Sequence, residues 1–265
     1  MAARNLFQEA VAKDDHFTNA YSGLAVTYLL ASYRGYEDPV RMLWLAKQHP
    51  EILPLDERGQ ILHEGTRRAV CLNSDAYWNH AKRIVEEMAK ALGDHPQLIA
   101  WQIDNGIGSH YTEASFNEGS RLEWQSWLKL KYKTIERLNN QMGLRHWGQV
   151  VTDWSQIPMP MAAPTAHNPA LAVDWCRFCS DTIVAFVRMQ ADLLHEITPA
   201  CPVTTNLRAL RHRFDHFDLA DAIDFVSIES TSAIKPKSAE LACEIDMLRS
   251  LKKTDVRSPD GDTGF

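Results

Sequence analysis

The chain has 265 residues, a formal net charge of −6, 45% hydrophobic residues and 23% charged residues. That balance supports a buried core and excludes disorder as the main state, while a pI near 6.0 argues against a nucleic-acid protein, which would carry a basic face. No apolar run approaches the roughly 18 residues that span a bilayer, the acids of MAARNLFQEAVAKDD leave no export signal, and Cys71, Cys176, Cys179, Cys201 and Cys243 follow no disulfide spacing, so a cytoplasmic location is expected.

Gly23 to Ser32 reads as a buried strand, and Trp44 opens a short amphipathic piece that stops at Pro50. Leu53 to Gly65 is a polar loop with a turn at Glu57-Arg58-Gly59. Ser74 is an N-cap, and Ala76, Trp78, Ala81, Ile84, Val85, Met88, Ala89 and Leu92 recur at helical spacing up to Gly93. Leu98 to Asp104 predicts a buried strand with a polar C-terminal end. A polar loop over 106–119 leads into one long helix from Ser120 to Met142, and 147–168 is irregular. Pro169 suits a helix N1 position, and that helix runs to about Ile197 with a stripe of Val173, Cys176, Ile183, Phe186, Val187, Met189 and Leu193. A second strand covers Pro202 to Asn206 and a short helix Phe214 to Ala222. A third strand covers Ile223 to Ile228 and ends at Glu229, and a last helix covers Ala239 to Leu251.

Strands alternating with helices predict a parallel sheet in an α/β fold. No glycine-rich fingerprint follows any strand, which removes dinucleotide and P-loop chemistry, and no cofactor is expected. Asp104, Asn105, Asn206 and Glu229 all fall at C-terminal strand ends. In a (β/α) barrel that is the catalytic rim; otherwise such residues cap the loops that follow.

Glycoside hydrolysis needs two carboxylates across one pocket. The candidates are Asp104, Glu113, Glu118 and Glu229. Asp104 sits in an apolar run, which favours a structural hydrogen bond. Glu113 lies in a loop beside His110, Tyr111 and Thr112, where it could reach a rim pocket or stay solvated. Glu118 suits the start of a helix. Arg67 and Arg68 either clamp hydroxyls or form a solvated pair. His110, His167 and His212 lack metal-ligand spacing, and Cys176 and Cys179 read as core packing. No Gly-x-Ser-x-Gly elbow anchors an α/β-hydrolase triad. The many tryptophans suit either sugar stacking or the core.

The blocks WLAKQHPEILPLDERG (44–59), GTRRAVCLNS (65–74), HPQLIAWQIDN (95–105), WLKLKYKTIERLNNQMGLRHWGQV (127–150), NPALAVDWCRFCSD (168–181) and PVTTN (202–206) resemble, in this order, the catalytic domain of glycoside hydrolase family 42 β-galactosidases. The resemblance implies a (β/α)8 TIM-type barrel, incomplete here, with 1–40 poorly matched and 41–265 forming a partial barrel domain. It implies retaining hydrolysis of terminal β-D-galactosides, a place in carbohydrate metabolism and a homo-oligomer, trimeric in the family. No membrane or nucleic-acid partner is implied. Arg68 matches the arginine that lines the sugar subsite. Asn105 matches the asparagine that holds the 2-hydroxyl, a contact that strengthens as the oxocarbenium ion develops. Asn206 and Glu229 fall on the same rim.

The departures carry equal weight. The family's proton donor directly follows that asparagine, and here the position is Gly106. Loss of acid catalysis costs about 10²–10⁴-fold in rate; alternatively Glu113 swings into the space that Gly106 leaves. The family's nucleophile lies on a later strand than the sequence reaches, so a fragment is expected. An aromatic subsite position falls at Thr231. The positions of a zinc-binding cysteine cluster become Cys71, Ser109, Ser115, Asn117 and Ser120, so no zinc site is expected. A barrel cut after roughly six βα units would leave two open sheet edges. A non-catalytic sugar-binding remnant and an assembly subunit are therefore the alternatives to an active hydrolase.

Overall fold

A computed structural model describes residues 50–62, 70–104, 106–108, 114–146, 148–207, 214–228 and 238–252. Gly23 to Ser32 and the piece opened by Trp44, both read from the sequence, lie outside these residues.

Helix α1 (Asp75–Leu92) starts where the Ser74 hydroxyl accepts the Tyr77 N–H at 3.4 Å, replacing a bond the first turn cannot make within the helix. It turns Ala76, Tyr77, Trp78, Ala81, Val85 and Met88 towards the main core. Gly93 follows with ordinary right-handed backbone. Its glycine identity answers to space: a Cβ there would stand 2.3 Å from Cγ2 of Thr198.

Strand β1 (Trp101–Gln102) pairs in parallel with β2 (Val203–Thr204), and β3 (Asn206–Leu207) pairs in parallel with β4 (Ser227–Ile228). The expected strand from Leu98 is shorter than read: Ile99 is 85% exposed. The ladder begins only where the Trp101 N–H donates to the Pro202 carbonyl. Parallel neighbours need crossover connections, and β1 reaches β2 through three helices. Three strand runs occur among the described residues, against the six or so βα units expected. The stretch between β1 and β2 accounts for part of the difference, because it builds helices and a second core instead of strand–helix units.

Those helices are α2 (Glu118–Tyr132), α3 (Ile135–Gln141) and α4 (Pro169–Ile197). The single helix read from Ser120 to Met142 is broken at Lys133, whose φ is +68°. The Thr134 side chain then caps α3 by accepting the Arg137 N–H at 3.2 Å. The break lets Leu138 and Met142 fold back on Trp124, Leu128 and Tyr132 in the second core.

Helix α4 runs for 29 residues, with the Asn168 side chain accepting the Ala170 and Leu171 N–H groups and Pro169 at its start. Its N-terminal half buries Leu171, Trp175, Phe178 and Cys179 in the second core, and its C-terminal half buries Ile183, Phe186, Val187 and Leu194 in the main core. The stripe read from the sequence is wrong in the first half: Val173 and Cys176 are exposed. The buried face there is set by docking of Trp175 and Phe178 on Trp124, at ring separations of 5.4 and 5.6 Å. Helix α5 (His216–Ala220) and α6 (Ser238–Leu251) complete the described elements.

Candidate functional site

The C-terminal ends of the strand runs converge and are tied together by side-chain bonds to backbone. The Ile103 N–H donates to the Thr204 carbonyl at 2.9 Å and closes the β1 ladder. Asp104 then turns into the left-handed region at φ +39° and Gly106 follows at +71°. For a residue with a Cβ that conformation costs about 1 kcal/mol, so it must be held. The Ile107 N–H donates to the Asp104 carbonyl at 3.1 Å. The Thr205 hydroxyl donates to the same carbonyl at 3.2 Å. Gln190, from α4, donates its side-chain amide to Oδ2 of Asp104 at 2.5 Å.

Asn206 completes the arrangement. It is buried, and its Oδ1 accepts the Gly106 N–H at 2.8 Å. Across the next strand the Ser227 hydroxyl donates to the Thr205 carbonyl at 2.9 Å, and the Thr204 hydroxyl to the Phe225 carbonyl at 2.6 Å. Two positions singled out from the sequence, Gly106 and Asn206, are thus in direct contact across 100 residues. Arg68, Asn105, Glu113, Glu229 and Thr231 lie outside the described residues. Asp104 has the structural use expected of it. Glu118 opens α2 and pairs with Arg121, whose guanidinium holds the carboxyl below its usual range.

Thr205 and Gln190 were missed by sequence reading. Gln190 carried a signal: it is the polar residue on the α4 face that otherwise bears Ile183, Phe186, Val187 and Leu194. A buried amide on such a face needs a partner elsewhere in the fold.

The positions of the family's zinc cluster form a different device. Cys71 and Ser120 are fully buried and stand 3.5 Å apart, Sγ to Oγ. Ser120 also accepts the Asn73 amide at 3.0 Å. Asn117 caps α2 through the Ser120 N–H and donates its own amide to the Glu51 carbonyl. Ser115 accepts the Leu55 N–H at 3.2 Å. Ser109 lies outside the described residues, and the other four positions supply one thiol, two hydroxyls and a carboxamide hydrogen-bonded within the protein, which do not fit zinc, a metal that takes thiolate, imidazole or carboxylate ligands. The cluster clamps 51–55 onto the start of α2 by hydrogen bonds.

Parallel strands joined through helices, with polar groups meeting near the C-terminal strand ends, define part of a (β/α) barrel. The sequence profile of the β-galactosidase family matches residues 40–257, and the chain belongs to that family, glycoside hydrolase family 42. A β-galactosidase of Geobacillus kaustophilus is 34% identical over 213 residues, covering 79% of this chain and 31% of that protein. The crystal structure of the β-galactosidase from psychrophilic Marinomonas ef1 superposes with a TM-score of 0.69 at 33% identity, over 73% of this chain and 29% of that one. The β-galactosidase from Rahnella sp. R3 gives a TM-score of 0.73 at 27% identity, over 79% of this chain and 31% of that one. The chain therefore spans about three-tenths of the length of the relatives it matches. No helix among the described residues is long and apolar enough to cross a membrane.

Proposed function

We propose that this chain carries the galactoside-binding rim of a family 42 β-galactosidase that hydrolyses terminal β-D-galactosides by the retaining, two-carboxylate route in the cytoplasm. The observation that carries this reading is the 2.8 Å bond from the Gly106 N–H to the Asn206 carboxamide, which joins the end of β1 to the β2–β3 run. Arg68 and Asn105 bind the galactosyl unit, with Asn206 and Glu229 on the same rim. Glu113 supplies the proton that the residue at 106 cannot. The nucleophilic carboxylate belongs to the part of the family's length that the chain does not match. The domain begins near residue 41, and its homo-oligomer, trimeric in the family, is part of the same reading.

A second reading, a sugar-binding remnant or assembly subunit without turnover, is favoured by Gly106 itself. It has no side-chain acid, and its N–H is already engaged. Two substrates separate the readings. Lactose has a poor leaving group and needs the acid, whereas dinitrophenyl β-galactoside does not. Lactose hydrolysis that falls about 10²–10⁴-fold in Glu113→Gln, with the dinitrophenyl rate spared, supports the hydrolase. Galactose binding in a calorimeter with no turnover of either substrate, by this chain or by a chimera that supplies the rest of the family's length, supports the remnant. Neither turnover nor binding in either chain overturns the hydrolase and the sugar-binding remnant, and co-assembly with a full-length relative then tests the assembly subunit.

A further inference from the structure

We infer that Gln190, buried in the middle of α4, is a positioning residue for the rim, holding the left-handed turn at Asp104 from which the end of β1 meets the sugar. The sugar-binding part of this inference rests on the galactoside reading above.

Gln190 is 5% exposed and sits one turn from Phe186 and Val187. A leucine or methionine would pack there without desolvating an amide, so the glutamine is costly unless its bonds are made. They are: Nε2 reaches Oδ2 of Asp104 at 2.5 Å and the Phe186 carbonyl at 3.3 Å. The first bond crosses from helix to strand end over 86 residues of sequence. Among the described residues of this turn, it grips the one that has both a side chain and a positive φ.

The turn is held from two directions. From α4, Gln190 fixes the Asp104 carboxylate. From the β2–β3 run, Thr205 fixes the Asp104 carbonyl and Asn206 fixes the Gly106 N–H. Asn105 lies between these two anchored residues in sequence. With the helix-side anchor loosened, the turn is held from the strand side alone, and the Gly106 N–H opens more often from Asn206 as Asp104 returns to ordinary backbone angles. Gln190 itself touches no sugar. Its effect reaches affinity only through Asp104.

The test compares the full chain with Gln190→Met, which keeps the volume and removes the amide. Two readouts are taken: hydrogen exchange at the Gly106 and Ile107 N–H groups, and galactose affinity by calorimetry. The expected result is exchange faster by about tenfold at Gly106, matching loss of one such bond. Galactose affinity should weaken by a similar factor, while the interior N–H groups of α4 stay protected. Asp104→Gly added to Gln190→Met should restore affinity, because glycine takes positive φ without help. If Gln190→Met does not fold, Asp104→Ala loosens the same turn from its surface side. Asp104→Asn, which keeps an acceptor and tolerates this backbone, should not. Unchanged Gly106 exchange in Gln190→Met or Asp104→Ala overturns the inference. So does faster exchange with unchanged galactose affinity. A wild-type chain that binds no galactose, with exchange still dependent on Gln190, overturns the galactoside reading and leaves the turn clamp standing.

Discussion

Helix α4 serves two cores, and a buried polar residue in each half, Asp174 in one and Gln190 in the other, is satisfied in a different way. In the N-terminal half Asp174 is 2% exposed and meets only side chains: the Lys131 ammonium, the Tyr132 hydroxyl at 2.6 Å and the Arg177 guanidinium at 3.1 Å. Burial and the neighbouring Asp174 carboxylate push the Tyr132 phenol well above its usual range. Lys131 lies over the Trp127 ring at 4.9 Å, and the Trp127 indole donates to Asp181. In the C-terminal half Gln190 meets the strand end and its own helix backbone, and no charged cation is involved. A carboxylate caged by side-chain donors from two helices fastens helix to helix. An amide bonded to a strained turn fixes where a strand end points.

The largest effects expected come from the cores themselves. Phe186 is 1% exposed and packs on Tyr77 and Trp78 with ring separations of 5.4 Å. Phe186→Ala should cost about 4 kcal/mol and Leu128→Ala, in the second core, about 3 kcal/mol. Because one helix enters both, urea unfolding followed by tryptophan fluorescence and by far-ultraviolet circular dichroism should remain coincident in each variant. If Leu128→Ala separates the two curves, the halves of α4 belong to independent units and the comparison fails. Next in size, Asp174→Asn should lose about 2 kcal/mol, read as a fall in Tm of about 6 °C. It should leave galactose affinity unchanged. Weaker sugar binding in that variant would erase the distinction between a fastening and a positioning residue.

How legible all this was depends on the range of the interaction. The bounds of α1 and α4 could be read from Ser74, Asn168 and Pro169, because caps act on residues two or three positions away. The sequence reads Asn206 as the end of a strand, and it stands inside the β2–β3 run as the first residue of β3. That its carboxamide is spent on the Gly106 N–H could not be read, because the partner is 100 residues distant. The break at Lys133 was hidden because the apolar spacing of Leu128, Tyr132, Ile135 and Leu138 continues through it. In the first half of α4 two apolar faces compete, Val173 with Cys176 and Trp175 with Phe178. The winner is chosen by Trp124 on another helix. The clamp at Cys71, Ser115, Asn117 and Ser120 could be noticed only through the resemblance, since hydroxyls and amides at that spacing announce nothing by themselves.

The smallest expected effect concerns the far end of α4. His195, in its last turn, meets Oδ2 of Asp224 at 2.7 Å, and the Val203 N–H donates to the same oxygen at 2.6 Å. Burial alone would raise the Asp224 carboxyl, but the Val203 N–H and the His195 ring outweigh it and hold the group below its usual 3.8. A depressed carboxyl stabilises the fold above its unfolded value and loses that contribution as pH falls through the folded one. Wild-type Tm should therefore drop more steeply than that of Asp224→Asn below about pH 4, and the two curves should converge there. At pH 6 the gap should be small, about 0.5 kcal/mol, because the pair is partly exposed and screened. Val203 is the first residue of β2, so Asp224 holds the N-terminal end of that strand, away from the polar strand ends. Asp224→Asn should accordingly change the pH profile of Tm without changing galactose affinity. Parallel Tm curves would show that this end of α4 is held by packing alone.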